Sequence, residues 1–503
     1  MLEFTNFVNV YLWGTPLIIL VVGLALFYTI VLRVPQIRLF KDMVKSLSRS
    51  QASQSGITPF QSFAMALGGR IGIGSIAGVA TAIAVGGPGA VFWMWVYAIL
   101  GSALALVESS LAQLWKQKIA GEYRGGPSYY LTKTPLPWLG FYTAVAGILG
   151  YGFTGPIVQA FNISDSFYNA FNIPQLVTGI VVAVLFGVVV IGGMKRIASI
   201  AGYVVPFMAI VYLVITIIVL LVNITKIPAM FGLIFGSAFS LNAVFGGIAG
   251  SAIMWGVKRA IYSSEAGMGT GANAAASAEV SHPVKQGLAQ GFSVYHTLIV
   301  CTCTALMILV TGMYNVYNES AGYAPIVENV PNIQIGIGYV QASIDTVAAG
   351  TGIGSVFIAL AIFFFAITTL LSFGFYASVG LAMLFKKSKW LNPVIWAVTV
   401  LQMASIILGS IWSSELAWAM ADLGVGMATW INLLGLCCLA PPMIKLMRDY
   451  DKQKKQGLDP VFDPANVDVK GAELWSEIVE ENYKDLKNKN AKALGKGTLE
   501  KTK

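Results

Sequence analysis

The sequence predicts an all-α polytopic membrane protein of about eleven transmembrane helices, arranged as a 5+5 inverted repeat with two broken helices. Three observations support this fold class. The chain of 503 residues is 56% hydrophobic and only 11% charged, whereas soluble proteins are about 25% charged. Its long apolar runs are joined by loops whose basic residues alternate from one loop to the next. Two of the apolar runs contain clusters of glycine, which weaken a continuous helix.

The apolar runs that we assign as transmembrane helices are long enough to cross the hydrocarbon core of a bilayer, which takes about 20 residues. Their approximate bounds are 13–32, 59–85, 90–115, 138–161, 175–191, 200–222, 240–262, 286–311, 353–385, 393–411 and 416–444. No basic segment precedes the first run, so we interpret it as a retained helix and not as a cleaved signal. The lipid bilayer is therefore an expected partner of the chain.

The loops predict the orientation of the chain in the cell (plasma) membrane. The basic loops contain Arg33, Arg38, Lys41, Lys45, Arg49, Lys116, Lys118, Arg124, Lys133, Lys195, Arg196, Lys258, Arg259, Lys285, Lys386, Lys387 and Lys389. The alternate loops contain Lys226 and almost no other basic residue, and the long segment 313–351 has none. Because positive charge marks the cytoplasmic side, we expect a multi-pass protein with its N-terminus outside and its C-terminus in the cytoplasm.

We divide the chain into five segments on this basis. They are an N-terminal transmembrane helix (1–34), a cytoplasmic amphipathic segment (35–58), a first inverted repeat (59–222), a second inverted repeat (223–447) and a charged cytoplasmic tail (448–503). The tail is rich in lysine and poor in apolar residues. We expect it to be solvated, partly helical around 473–486 and frayed at its end.

The stretch 68–78 is the first predicted helix break. It contains five glycines and Arg70 inside an apolar run. Glycine in a helix interior costs about 0.5–1 kcal/mol relative to alanine, so the helix is expected to open here and expose backbone C=O and N–H groups. Such groups at membrane depth line a solute or ion site. Close packing of two helices is the alternative use of these glycines.

The stretch 245–251 in the seventh run is the second predicted break, five runs after the first. An odd number of helices in each set makes the second set inverted relative to the first. Paired glycine interruptions in inverted halves are typical of a transporter site. The N-termini of half-helices bind carboxylates and their C-termini bind cations. An amino acid together with sodium would use both kinds of terminus.

Other function classes lack their sequence signatures. We find no His-Glu-x-x-His helix, no Gly-x-Ser-x-Gly turn and no Gly-x-x-x-x-Gly-Lys-Ser/Thr loop, so an intramembrane enzyme or a primary pump is disfavoured. A channel would need rings of like residues from several subunits. The basic residues lie in loops and the tail beside apolar runs, which does not indicate nucleic acid. Four cysteines and two histidines fit no metal site, and no cofactor is expected.

Seven stretches of the chain resemble the alanine or glycine:cation symporters, also called the sodium:alanine symporter family. They are GIGSIAGVATAI (72–83), GGPGAVFWMW (86–95), GGPSYY (125–130), GVKR (256–259), SEAGMG (264–269), HPVKQG (282–287) and TT (368–369). The resemblance implies an inverted-repeat fold of the leucine-transporter type and sodium-coupled uptake of small neutral amino acids. Proton-coupled transport and a glutamine-type substrate stay open as alternatives.

The resemblance also implies site residues. Sodium, the coupling ion, would be held by the hydroxyls of Thr368 and Thr369 and by carbonyls, since sodium prefers hard oxygen ligands. The carbonyls would be those of Gly68, Ile71 and Phe365. The alternative is that each threonine bonds to a carbonyl of its own helix.

A second set of residues is assigned to the amino acid substrate. The set contains residues of the two predicted breaks, one amide side chain and one aromatic residue after the second break. Its members are Ile73, Gly74, Ser75, Gln159, Gly247, Gly250 and Trp255. An interhelical hydrogen bond is the alternative for Gln159 and the favoured interpretation for Asn162. Ordinary packing is the alternative for Trp255.

The chain departs from the family pattern at two places. The family usually has Gly-Thr-Gly-Asn where this chain has Gly72-Ile73-Gly74-Ser75, which leaves the identity of the substrate open. The family usually has an aspartate where this chain has His296. A hydrogen-bonded core residue is the favoured interpretation of this histidine, and an altered ion or proton coupling is the alternative.

Two further charged residues are interpreted structurally. Arg70 is expected to act in gating or in an ion pair with Glu108 or Asp165, or to lie near the cytoplasmic end of its helix. Glu265 is expected to lie in a cytoplasmic turn, in a salt bridge with Lys258 or Arg259.

Overall fold

The computed structural model describes residues 2–48, 52–240, 244–348 and 351–494. The predicted frayed end of the tail lies outside these residues. The first half of the chain forms the helices α1 (Leu2–Leu12), α2 (Thr15–Val31), α3 (Pro35–Arg38), α4 (Phe40–Ser48), α5 (Pro59–Ile71), α6 (Ala77–Gly86), α7 (Gly89–Leu114), α8 (Pro127–Tyr130), α9 (Trp138–Leu149), α10 (Gly155–Phe171), α11 (Gln175–Val190) and α12 (Gly193–Val222).

The second half continues with mostly helical structure. Its helices are α13 (Ile227–Ala238), α14 (Ala249–Ser264), α15 (Thr270–Ala276), α16 (Pro283–Ser293), α17 (Thr302–Thr311), α18 (Ile337–Val347), α19 (Ile353–Phe385), α20 (Leu391–Ile411), α21 (Ser414–Cys438), α22 (Ala440–Lys455), α23 (Pro464–Val467), α24 (Leu474–Asn482) and α25 (Lys484–Ala493). π-Helical turns join α9 to α10 and α16 to α17, at Gly150–Thr154 and Thr297–Cys301.

Two small antiparallel hairpins were not predicted. They are formed by β1 (Gln117–Ile119) with β2 (Glu122–Arg124), and by β3 (Asn315–Asn318) with β4 (Ala324–Glu328). The first hairpin follows α7, and the second follows α17.

Seven helical segments in the described residues are long and apolar enough to cross a membrane, and an eighth is obtained if α1 and α2, bent by 42°, are one span. The seven segments are Gly89–Leu114, Trp138–Phe171, Gly193–Val222, Pro283–Thr311, Ile353–Phe385, Leu391–Ile411 and Ser414–Cys438. Each overlaps one of the predicted runs, and the largest difference is at Trp138–Phe171, which extends ten residues beyond the predicted 138–161. The prediction of eleven also counts the broken helices and the 16-residue α11, and it stays a prediction.

The first break is confirmed. Helix α5 begins with a capping box, in which Thr58 and Gln61 satisfy each other's backbone N–H groups. It ends at Ile71, and Gly72 then departs from helical geometry with φ −38° and ψ −157°. A single 3-10 turn, Ile73–Ser75, leads into α6. The glycine-rich stretch therefore opens the helix, as its composition indicates.

The second break was placed wrongly. Residues 245–251 contain a 3-10 turn (Gly246–Ile248) that precedes α14, and α14 then runs without interruption to Ser264. The interruption follows α14. Glu265, Gly267 and Gly269 have φ of 52°, 88° and 75°, and the short helix α15 begins after them. Two glycines in the left-handed region turn the chain here at little steric cost, so the broken helix is α14–α15.

This correction moves Lys258 and Arg259 to the other end of the bundle. A Cβ added at Gly256 would lie within 3 Å of Ala90 and Trp93, so α14 packs beside the start of α7. Lys116, at the far end of α7, instead donates to the carbonyl of Ala278 after α15. The prediction that Lys258 and Arg259 lie on the same side as Lys116 is therefore wrong. Both residues form ion pairs with Asp422 of α21, with nitrogen–oxygen distances of 2.7 Å for Lys258 and 3.9 Å for Arg259.

The two broken helices are joined at the end that holds Lys116. Ile57, just before α5, forms a parallel bridge with Ala278, just after α15. Its N–H donates to Ser277 and its carbonyl accepts from Glu279, at 3.0 and 2.9 Å. This pairing holds the start of the first broken helix against the end of the second.

The tail is not solvated throughout, contrary to the prediction. Trp475 is fully buried, and its ring N–H donates to the carbonyls of Gln113 and Leu114 at the end of α7. Phe462 is also fully buried, and its ring lies 5.3 Å from that of Trp475. The α7 carbonyls have no partner within their own helix, which explains why a tryptophan N–H docks there.

Candidate functional site

The predicted sodium ligands from α5 and α19 come together at the first break. The hydroxyl of Thr369 lies 2.8 Å from the Gly68 carbonyl and 3.0 Å from the Phe365 carbonyl. The hydroxyl of Thr368 lies 2.9 Å from the Phe365 carbonyl and 3.5 Å from that of Gly68. Both threonines and Phe365 are at most 1% exposed. Ile71 is buried as the last residue of α5.

This group has more oxygen acceptors than hydrogens. Each threonine hydroxyl has one hydrogen, yet each lies within 3.5 Å of at least two carbonyl oxygens. The hydrogen bond to the threonine's own helix, the predicted alternative, is present for both residues, and both hydroxyls also lie beside the Gly68 carbonyl of α5. Hydroxyl and carbonyl oxygens converging in a buried position are the ligands that a hard cation prefers.

Gln159 of α10 faces the same gap. Its side chain is 3% exposed, and its Oε1 makes no hydrogen bond among the described residues. A Cβ added at Gly72 would lie 3.5 Å from this oxygen and would overlap the Thr369 hydroxyl, so only glycine fits at Gly72. By contrast, Asn162 donates to the Val158 carbonyl of its own helix at 2.6 Å. Gln159 thus presents an unpartnered acceptor at the break.

The first break also meets the end of α14. Ser75 and Ser263 are joined by a hydrogen bond of 2.8 Å between their hydroxyls. A Cβ at Gly74 would lie 3.3 Å from the backbone of Ser263, so the two chains approach closely. Ile73, Gly74 and Ser75 are all buried. The three residues assigned to the substrate from the first break therefore lie between the two broken helices.

His296 is a hydrogen-bonded core residue. Its Nδ1 lies 2.7 Å from the Ser293 carbonyl, which can only accept, so this nitrogen carries a hydrogen. Its Nε2 is 3.4 Å from the hydroxyls of Ser75 and Ser263. The favoured interpretation of this histidine agrees with these contacts.

The side chain of Arg70 extends from the last turn of α5 toward α15 and α16. Its Nη1 donates to the carbonyl of Gln290 at 3.1 Å, to the Gln290 side chain at 3.0 Å and to the Ser293 hydroxyl. Neither acid predicted as its partner forms a salt bridge with it among the described residues: Glu108 accepts a hydrogen bond from Asn432, and Asp165 accepts one from Asn169 of its own helix. The arginine thus lies inside the bundle, 1% exposed.

Gly247, Gly250 and Trp255 are not brought together with these residues. Their assignment to the substrate followed from the misplaced second break. Gly247 and Gly250 are exposed, and a Cβ at either would meet no atom of the described residues within 4 Å. Trp255 packs beside Gly86 at the end of α6, and its ring N–H donates to Glu319 at 2.7 Å. Trp255 therefore ties α14 to the end of α6 and to the segment between β3 and β4.

Glu265 is the residue of the site that the sequence did not reveal. The expected salt bridge with Lys258 or Arg259 is absent in the described structure, where Asp422 is their ion-pair partner. Glu265 is 2% exposed at the second break. Both of its carboxylate oxygens lie within 3.4 Å of where a Cβ of Gly69 would be. The two glycines of SEAGMG were the signal that could have located it.

The sequence of this chain is similar to those of known transporters. Residues 1–464 match the sodium:alanine symporter family. The chain belongs to the sodium:alanine symporter family. A sodium/proton-dependent alanine carrier protein of Bacillus sp. (strain PS3) is 45% identical over 454 residues, which are 90% of this chain and 100% of that relative. A Bacillus subtilis (strain 168) protein named "Probable sodium/glutamine symporter GlnT" is 38% identical over 458 residues, 90% of this chain and 91% of that relative.

The fold of this symporter-family protein is that of the leucine-transporter type. The crystal structure of MhsT in complex with L-phenylalanine has a TM-score of 0.52 and 13% identity, and the match covers 90% of this chain and 100% of that chain. The relatives of the chain are carriers and symporters, and this family member is a multi-pass membrane transporter and not an enzyme.

Proposed function

We propose that this protein is a secondary active symporter that imports small neutral amino acids, of the alanine, glycine or serine class, with sodium as the coupling ion. The observation that carries this proposal is the meeting of an unpartnered acceptor and a group of buried oxygens at Gly72. The Gln159 amide oxygen has no hydrogen-bond partner among the described residues, and the Thr369 hydroxyl, which bonds to the Gly68 and Phe365 carbonyls, faces the same gap. Alternating access then moves substrate and ion together across the membrane.

The first break offers both kinds of group that a zwitterionic amino acid needs. Helix α6 begins without a side-chain cap, so N–H groups of its first turn are available to the substrate carboxylate. The Gln159 oxygen can accept a hydrogen bond from the ammonium group. Ile73, Gly74 and Ser75 would contact the substrate between these two ends.

Sodium would bind on the other face of the same break. Its ligands would be the carbonyls of Gly68, Ile71 and Phe365 and the hydroxyls of Thr368 and Thr369. Since α5 lies in the first repeat and α19 in the second, an ion held by both favours the conformation in which the substrate pocket is assembled. Such a preference is a coupling free energy of about 1–3 kcal/mol, and it acts equally in both directions.

The finer topology is part of the proposal. Eleven spans are obtained when α5–α6 and α14–α15 each count as one broken span and α11 crosses the bilayer with its 16 residues. Segments 59–222 and 223–447 would then be the two inverted repeats. With the other basic loops on the cytoplasmic side, the N-terminus would lie outside and the tail in the cytoplasm.

Two alternatives concern the coupling ion and the substrate. The name of the Bacillus sp. (strain PS3) relative includes both sodium and protons, and that of the Bacillus subtilis relative includes glutamine. Coupling to protons or a glutamine-type substrate is therefore the second candidate for this chain.

The test is uptake of radiolabelled alanine, glycine, serine and glutamine into proteoliposomes of the full chain. An inward sodium gradient, an inward proton gradient and no gradient are compared, with protein-free liposomes as the control. We expect sodium-driven accumulation of at least one small neutral amino acid. Equal uptake with and without each gradient would contradict a symporter, and accumulation of glutamine alone would select the second candidate.

A further inference from the structure

The second break encloses a buried group of polar atoms that the proposed sodium and substrate sites do not use. Oε2 of Glu265, Oη of Tyr376 and Oγ1 of Thr270 are buried without a hydrogen-bond partner among the described residues. The Tyr376 hydroxyl and the Glu265 carboxylate both lie 3.2–3.4 Å from the position of a Cβ at Gly69. A larger residue at Gly69 would therefore fill the space that these oxygens share.

This group is separate from the threonine site. A Cβ at Gly68 would point to Thr368, whereas one at Gly69 points to Glu265 and Tyr376. Successive residues of an α-helix are about 100° apart around its axis. The two sets of oxygens therefore lie on different sides of α5, in its last turn before the first break.

Glu265 differs from the other buried acid nearby. Glu108 of α7 accepts a hydrogen bond of 2.6 Å from Asn432, whose side chain also donates to the Gly267 carbonyl at 2.9 Å. Glu108 is thus fixed as part of the scaffold that holds the second break. Glu265 has an oxygen without any such partner, and an unpaired buried carboxylate is strongly unfavourable.

Glu265 forms no salt bridge among the described residues. The titratable side chains that face Glu265 and its neighbour Arg70 from the surrounding elements are Arg70, Glu108, Tyr151, Tyr262, His296 and Tyr376. None of these side chains forms a salt bridge with Glu265 in the described part of the chain, where Lys258 and Arg259 pair with Asp422, so a charged Glu265 has no counter-charge in contact with it. A zwitterionic amino acid has no net charge and cannot compensate it.

We propose that Glu265 is a second cation site of this transporter, at which one monovalent cation neutralises the carboxylate whenever the two broken helices close around the substrate. The cation is either a proton or a second sodium ion. This inference rests on the proposed function, because the cation is moved together with the amino acid. Tyr376 and Thr270 supply the further oxygens of the site.

Glu265→Gln tests this site, since glutamine keeps the shape of the side chain and removes the charge. A permanently neutral residue imitates the cation-bound state, so exchange of internal for external amino acid continues in proteoliposomes. Gradient-driven accumulation falls, by the 5- to 150-fold typical of a coupling free energy of about 1–3 kcal/mol. A site that binds a proton also loses its response to an imposed pH gradient, whereas a site that binds sodium loses one unit of the sodium Hill coefficient.

Glu328→Gln, on the exposed strand β4, is the matched control and is expected to behave as the wild-type protein. The inference is overturned if Glu265→Gln keeps the wild-type accumulation, Hill coefficient and pH response. If the wild-type protein shows no gradient-driven uptake, the proposed function itself fails, and the two failures are thus distinguished.

A measurement on the wild-type protein makes the test independent of the folding of any variant. The reversal potential of amino acid flux gives the number of cations moved with each substrate molecule. We expect two, either two sodium ions or one sodium ion and one proton. A value of one contradicts a second cation site at Glu265.

Discussion

The hydroxyl of Thr369 lies 2.8 Å from the carbonyl oxygen of Gly68, although the two residues are 301 positions apart in the chain. The contact joins α19 to the last turn of α5, directly before the backbone leaves helical geometry at Gly72. It is therefore a direct link between the interrupted helix and the second half of the protein. An ion at this link would control how the halves meet.

Gln159→Met should raise the substrate concentration for half-maximal uptake by about 10- to 150-fold, because one hydrogen bond to a charged group, about 1.5–3 kcal/mol, is lost. Methionine has nearly the same volume, so the packing of α10 is retained. The sodium concentration for half-maximal uptake, extrapolated to saturating substrate, should stay unchanged. Asn162→Ala removes an amide that bonds to its own helix and is the control for substrate affinity. Equal substrate affinity in Gln159→Met and the wild-type protein would exclude Gln159 from the pocket.

Ser75→Asn should change which amino acids compete for uptake. Ser75 is fully buried, and its hydroxyl is hydrogen-bonded to that of Ser263 at 2.8 Å. The longer amide changes both the volume and the polar groups beside the substrate position, while Ser75→Ala removes the hydroxyl alone. Competition by a panel of neutral amino acids measures the effect. An unchanged order of competitors in Ser75→Asn would show that Ser75 does not line the site.

The first break was predictable because glycine and apolar residues alternate in one run, and backbone geometry follows from that composition. The second was misplaced because residues 245–251 contain glycines as well, and a sequence does not show which glycine adopts positive φ. Gly267 and Gly269 do so, at 88° and 75°. The acid beside them indicated an exposed turn, since a lone buried carboxylate is rare.

The tail could not be predicted for a related reason. Its charged composition hides a few large apolar side chains, Phe462, Trp475 and Ile478, that are at most 1% exposed. Their burial depends on the carbonyls at the end of α7, which belong to a distant part of the chain. Local composition therefore predicted solvent exposure for side chains that are buried, although it predicted the helix α24 correctly.

Trp475→Ala should release the tail from the bundle. Replacing a fully buried tryptophan by alanine costs about 3–5 kcal/mol, and the two hydrogen bonds to Gln113 and Leu114 are lost as well. Limited proteolysis of the purified protein should then cut the region of α24 much faster than in the wild-type protein. Glu473→Ala, an exposed position one residue before α24, is the control. Equal cleavage rates for Trp475→Ala and the control would contradict the docking of the tail.

Docking of the tail should also depend on pH through Lys116. Burial lowers the pKa of Lys116 from its ordinary value of 10.5 to about 8, and its ammonium group lies 5.0 Å from the Trp475 ring. The undocked state therefore binds more protons than the docked state between these two values, so docking strengthens as the pH rises through this window. Proteolysis of the tail should slow from about pH 7 to pH 9.5. Lys116→Met should abolish this trend, and its persistence in that variant would assign it to another group.

The most direct test of the central claim is a sodium titration of amino acid binding to the purified full-length protein. Thr369→Ala removes one of the five proposed oxygen ligands, so it should raise the sodium concentration for half-maximal binding, while substrate affinity at saturating sodium recovers. Thr369→Ser keeps the oxygen and should be mild. Thr368→Ala should act in the same direction as Thr369→Ala. If both alanine variants kept the wild-type sodium dependence while uptake was still driven by sodium, the ion would not bind between α5 and α19.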